Sequence, residues 1–168
     1  MRKILSATLA VGVLTAGAAN AGTASSGFQV TATVLATCSA TATAVAFPNY
    51  TPGGGAVTAN GVISVKCTNT SPYHVALNAG SNSGSAFTQR LMTLASGTAT
   101  LQYNLYTTAA FATVFGDGSG STSTVGGTGT GLATATTVTV YGRVLDSAAN
   151  QAIAPGSYSD SIFVTVSY

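Results

Sequence analysis

Charge is what this sequence has least of. Its 168 residues include five Lys or Arg, three Asp, one His, no Glu and no Trp. So few charges exclude electrostatic recognition of nucleic acid, an anionic membrane surface or an acidic substrate. The shortage of titratable groups also works against catalysis. A Ser-His-Asp arrangement would have to use His74, which sits between Tyr73 and Val75 in a strand pattern. A pair of carboxylates would need two of Asp117, Asp146 and Asp160, each in or beside a turn. One histidine, two cysteines and no Cys-x-x-Cys leave no metal site. The chain therefore reads as a non-enzyme, with no catalytic residues, no metal and no cofactor.

Low charge would also fit disorder, but 46% hydrophobic residues exclude a mostly disordered chain. Residues 1–21 read as a signal peptide. Arg2 and Lys3 precede the apolar run Ile4–Ala16, too short for a stable bilayer span, and Ala19-Asn20-Ala21 supplies the cleavage signal. Without that segment the formal charge is zero: Lys66, Arg90 and Arg143 against Asp117, Asp146 and Asp160. An exported protein is expected, with enough remaining chain for one domain with its own core. In an exported chain Cys38 and Cys67 read as a structural disulfide, worth roughly 3 to 4 kcal/mol by loop closure.

What the chain has in quantity is period-two patterning. Phe28, Val30, Ala32 and Val34 alternate with Gln29, Thr31, Thr33 and Leu35, which predicts a strand close to the new N-terminus. Pro48, Pro52 and Gly53–Gly55 then exclude a central strand. Further strands are expected at Val62–Cys67 after an Asn60-Gly61 turn, and at Tyr73–Leu77. Arg90–Leu94 and Leu101–Tyr106 read as a hairpin joined through Ser96-Gly97. Thr136–Leu145 follows, with Val138, Val140, Gly142 and Val144 on one face. Gly116–Thr136 is almost all Gly, Ser and Thr. It lacks the Lys-Ser/Thr of a phosphate loop and the clustered carboxylates of a calcium loop, so it reads as a surface loop or wide connection. Asn49-Tyr50-Thr51 and Asn69-Thr70-Ser71 match the N-glycosylation triplet, a pattern frequent by chance. No segment after the signal has helical periodicity, and the whole reads as an all-β sandwich.

The last stretch, Tyr158–Tyr168, places Ile162, Val164, Val166 and Tyr168 at every second position, with Phe163 implying burial on both faces. A long apolar strand there is either paired on both sides or leaves an open edge.

Several stretches resemble the spore coat protein U domain family. They are Leu101-Gln102-Tyr103-Asn104-Leu105-Tyr106, Ala109-Ala110 with Gly116-Asp117-Gly118, Val140–Val144, and Pro155–Asp160 through Val164-Thr165-Val166. Cys38, Ala46-Phe47, Tyr50, Cys67-Thr68-Asn69 and Tyr73–Gly80 fall in the same order. Pro48 departs from the glycine expected after the phenylalanine. The resemblance implies a subunit of archaic chaperone–usher pili, with an incomplete immunoglobulin-like β-sandwich completed by donor-strand complementation. On that reading residues 22–36 are an N-terminal donor-strand segment and 37–168 the incomplete pilin domain. Phe28, Val30, Ala32 and Val34 form the inserted face, and Ile162, Val164, Val166 and Tyr168 the strand beside the acceptor groove. The implied partners are identical or related pilin subunits in a head-to-tail homopolymer, a periplasmic chaperone and an outer-membrane usher. No nucleic acid or small-molecule substrate is implied. The implied location is an extracellular fibre at the cell surface, serving adhesion and biofilm formation. Two alternatives stand beside it: a self-complemented monomeric coat protein, which uses the same residues, and a carbohydrate-binding module, for which exposed aromatics would be the platform.

Overall fold

A computed structural model describes residues 21–168. Apart from Ala21, the expected signal peptide lies outside the described residues. The chain divides into two units, one ending at Thr33 and one spanning Val34–Tyr168. In the first, residues 21–33 form no regular secondary structure and are exposed. The strand expected from Phe28 onward is therefore not formed in the single chain. Apolar alternation makes a strand only when another strand takes up its backbone groups.

The second unit carries eleven strands and one short helix. They are β1 Cys38–Ala42, β2 Val57–Cys67, β3 Pro72–Leu77, β4 Arg90–Leu94, β5 Thr100–Tyr106, β6 Val114–Phe115, β7 Thr122–Ser123, β8 Val125–Thr128, β9 Thr136–Val144, α1 Ala148–Gln151, β10 Tyr158–Ser159 and β11 Val164–Ser167. The larger sheet runs β1-β2-β9-β5-β4-β10, with β6 and β7 attached to β5. The smaller runs β11-β3-β8. Their inner faces enclose one core. Ile63 and Val65 of β2, Val138 and Val140 of β9, and Leu101 and Leu105 of β5 meet Tyr73, Val75 and Leu77 of β3. The period of two in each of these strands produces this: every second side chain points inward. Arg90–Leu94 and Thr100–Tyr106 form the expected hairpin, closed by the Leu94 amide on the Ala99 carbonyl at 2.9 Å.

Four expectations are corrected. Asn60-Gly61 is not a turn but lies inside β2, which begins at Val57 and pairs with β9 from Val57↔Val144 to Val65↔Thr136. Glycine is needed there for a close approach: a Cβ on Gly61 would meet Val45 Cγ2 at 2.8 Å and the Thr43 carbonyl at 3.0 Å. Gly116–Thr136 is not one loop but contains β7 and β8. β8 pairs with β3 as Tyr73↔Gly127 and His74↔Gly126, and the Tyr73 ring occupies the space a side chain on Gly127 would need. Glycines in a strand signal close approach as well as turns. Tyr158–Tyr168 is not one strand: Tyr158 and Ser159 pair with β4 in the larger sheet, and Val164–Ser167 pair with β3 in the smaller. Finally, Phe163 is not buried mid-strand but 66% exposed.

Candidate functional site

β1 leaves the disulfide and runs along the edge of the larger sheet. Cys38 and Cys67 are directly opposed in the β1–β2 ladder and bonded, so the first residue of β1 is tied covalently to the last of β2. Past Ala42 the chain stays close to β2, with the Thr43 amide on the Val62 carbonyl at 2.9 Å and Thr43 Oγ1 accepting from the Val62 amide at 2.8 Å. Val45 then drops against Gly61 and Gly142, and Phe47 stacks edge-on to Tyr103 with ring centroids 6.1 Å apart. The other edge of β1 is paired with no strand among the described residues.

β11 is the corresponding edge of the smaller sheet, paired on β3 alone among the described residues. Its alignment begins one residue early: the Phe163 carbonyl accepts from the Asn78 amide at 3.2 Å, and the Phe163 amide donates to Asn78 Oδ1 at 2.9 Å. In an antiparallel ladder alternate residues direct both peptide groups to the same partner. Phe163, Thr165 and Ser167 therefore face β3, and Ile162, Val164 and Val166 turn their N–H and C=O to the open edge. The same three are half-buried, with side chains packed on the core. Tyr168, expected to continue this face, lies past β11 and is 60% exposed.

Between the two open edges lies a cleft of about 300 Å³. Ala42–Val45 form one wall, and Asp160, Ile162 and Val164 the other. Ile63, Leu77, Leu105 and Val140 form the floor. An apolar floor bounded by two rows of unpaired backbone groups is what a missing strand leaves behind.

One charged side chain, Asp160, lines this cleft. Asp160 Oδ1 accepts from the Ser81 amide at 3.0 Å and the Ser161 amide at 2.7 Å, and Oδ2 from the Tyr103 hydroxyl at 2.7 Å. A side chain on Gly80, at φ +107°, would collide with this carboxylate. Burial, then the bond to Asp160, hold the Tyr103 hydroxyl well above its ordinary pKa. Asp160 thus caps two backbone amides four residues ahead of β11. What its sequence context does not show is that it also marks the crossing of the chain between sheets.

Arg90 had no role assigned from sequence, yet it is fully buried. Its Nη1 donates to Asn104 Oδ1 at 2.6 Å, and its Nη2 to the carbonyls of Phe115 at 2.7 Å and Asn78 at 2.8 Å. Burial lowers its pKa, partly offset by Tyr103 and Asp160. The guanidinium fork thus joins the end of β3 to β5 and β6 and holds Asn78, which in turn aligns Phe163. An arginine amid apolar residues in Arg90-Leu91-Met92-Thr93-Leu94 is the signal that could have marked it. His74 is exposed on β3. Among the described residues, no three His, Cys, Asp or Glu side chains cluster so as to hold a metal ion. No helix among them is long and apolar enough to cross a membrane.

The fold and cleft define a class: an all-β sandwich with an unfilled place between its two sheet edges. The family model of the Spore Coat Protein U domain matches residues 24–165, and the chain belongs to that family. Among solved structures it is similar to the chaperone–tip adhesion subunit pre-assembly complex CsuC–CsuE from archaic chaperone-usher Csu pili of Acinetobacter baumannii. The TM-score is 0.56 at 19% identity, and the match covers 81% of this chain and 41% of that one. No curated protein sequence matches this chain.

Proposed function

We propose that this chain is a structural subunit of a chaperone–usher pilus, polymerising by insertion of its N-terminal segment into the cleft of a neighbour. The observation that carries this reading is the cleft: two open strand edges facing each other across an apolar floor. Residues 22–36 supply the matching insert. Phe28, Val30 and Val34 are 88, 82 and 87% exposed, so the single chain leaves these side chains for a second molecule. Six residue steps separate Phe28 from Val34, and six separate Ile162 from Tyr168. At ~3.3 Å per step each row is about 20 Å long, so the donor row matches in length the edge on which Ile162, Val164 and Val166 pack inward, with Tyr168 just past β11.

Each of the larger donor side chains contributes about 1.5 to 3 kcal/mol on burial, and the ladder satisfies the open backbone groups. Because donor and acceptor lie on different parts of one chain, the contact is head-to-tail and propagates without closing, giving a fibre. In this proposal residues 1–21 direct export and are removed. A chaperone strand occupies the cleft until an usher exchanges it for a donor, and the fibre serves adhesion at the cell surface. The test is an SDS gel of surface extract, boiled and unboiled, probed for this chain. A ladder at multiples of the subunit mass that collapses on boiling is expected. Monomer in both lanes would replace this reading with a self-complemented coat protein.

A further inference from the structure

A second cavity, of about 620 Å³, continues the cleft at one pole of the sandwich. Val45, Phe47 and Met92 line both. Its own walls are Pro48 and Tyr50 on one side and Ile153, Pro155 and Tyr158 on the other. Both walls are anchored. Asp146 accepts hydrogen bonds from the Tyr50 hydroxyl at 2.5 Å and from the amides of Gly53 at 3.0 Å and Gly55 at 2.9 Å. The Tyr158 hydroxyl donates to the Ala154 carbonyl at 2.7 Å, and Gly156 leaves no room for a side chain beside Leu94.

Chain direction decides what meets this cavity. β11 runs away from it, from Asp160 toward Ser167, and the sheets of an immunoglobulin-type sandwich are antiparallel. An inserted donor running opposite to β11 enters beside Tyr168 and brings Val34 to Ile162, at the cavity's mouth. Only Leu35, Ala36 and Thr37 separate Val34 from Cys38, where the donor's own sandwich begins. Four residue steps span at most about 14 Å. The neighbour's disulfide-bonded pole is thereby forced against this pole.

We propose that this cavity seats a second copy of the chain: the neck Leu35–Thr37 and the disulfide pole of the neighbour whose donor strand fills the cleft. The inference rests on the donor-strand reading. It makes each junction in the fibre a strand plus a pole-to-pole contact, which fixes the angle between successive subunits. Leu35, 78% exposed in the single chain, is covered by this contact.

The test is disulfide trapping in assembled fibres. Ala36→Cys is combined with Ala154→Cys on the cavity rim, and separately with Asn69→Cys at the opposite pole. All three positions are exposed, and Pro155→Cys gives a second position on the rim. After mild oxidation, the rim pairs are expected to give a ladder that survives boiling and collapses only with reductant, with none from the Asn69→Cys pair. A boiling-resistant ladder from the Asn69→Cys pair alone, or from no pair while the unboiled ladder persists, overturns the inference and leaves the donor-strand reading intact. Absence of an unboiled ladder from the unaltered chain overturns both.

Discussion

The Tyr103 hydroxyl donates to Asp160 Oδ2 at 2.7 Å, linking the centre of β5 to the residue at which the chain leaves the larger sheet for the smaller. The contact sits on the cleft wall and is backed by Arg90, which holds the end of β3 through the Asn78 carbonyl. The cleft therefore depends on a polar cluster for its shape and on apolar side chains for its floor.

Removing Tyr103's hydroxyl leaves Asp160 two backbone donors, so Tyr103→Phe is expected to cost about 1 kcal/mol in chemical denaturation. Arg90→Ala removes one donor from Asn104 Oδ1, which keeps the Leu105 amide, and the guanidinium donors from the carbonyls of Phe115 and Asn78 at a fully buried site. A loss of roughly 3 kcal/mol or more is expected. A smaller loss from Arg90→Ala than from Tyr103→Phe would show that the cluster does not organise this end of the core.

Gly61→Ala places a methyl 2.8 Å from Val45 Cγ2 and 3.0 Å from the Thr43 carbonyl, and Gly142→Ala places one 2.6 Å from Val45 Cγ1. Both displace Val45 from the wall shared by the two cavities. Each is expected to cost about 1 to 3 kcal/mol, read as a lower Tm. Gly22→Ala, with open space around it, serves as the neutral control.

The Tyr50–Asp146 bond predicts sensitivity at both ends of the pH scale. The Asp146 carboxyl is held below its ordinary value, first by the Tyr50 hydroxyl and then by the Gly53 amide. Its contribution is present above the unfolded pKa of about 4 and is lost as pH falls through the lower folded value. Desolvation first, then Asp146, push the Tyr50 hydroxyl up from 10.0 to about 12. That contribution is complete below pH 10 and is lost as pH rises toward 12. Protection of the Gly53 and Gly55 amides, measured against their intrinsic exchange rates, is expected to fall below about pH 4 in the unaltered chain. Asp146→Asn removes that acid dependence, and Tyr50→Phe removes the alkaline one.

Donor insertion predicts a contrast between neighbours in sequence. Val30→Asp places a charge on the inserted face and Thr31→Asp places one on the opposite face. Val30→Asp is expected to abolish the heat-sensitive ladder, and Thr31→Asp to leave it. Deleting Thr23–Leu35 is expected to leave a subunit that accepts a donor but donates none. Equal loss from both point variants would show that the inserted face is misassigned.

The strand positions that form the core were legible in the sequence because burial follows the period-two pattern directly. Ile63 and Val65, Tyr73 to Leu77, and Val138 to Val144 fall on the inner faces as their alternation requires. Apart from Gly142, which its alternation placed in a strand, glycines were legible only as turns or loops. Gly61, Gly126 and Gly127 lie in strands because Val45, His74 and Tyr73 come close to them, and those neighbours are distant in sequence or on another strand. The last stretch misled for a related reason: one period-two pattern spans two sheets, and Phe163 falls on the solvent face of the second.

Periodicity and composition along the sequence carry the all-β class, the core strands, the scarcity of charge, the cysteine pair, and the two apolar rows Phe28–Val34 and Ile162–Tyr168. Local periodicity and composition suffice for these, since each depends on residues a few positions apart. Only the tertiary structure decided that β1 and β11 are the open edges, that an apolar cleft separates them, and that Arg90, Tyr103 and Asp160 shape it. Which edge of a strand is left unpaired depends on where every other strand lies, and no local pattern carries that information.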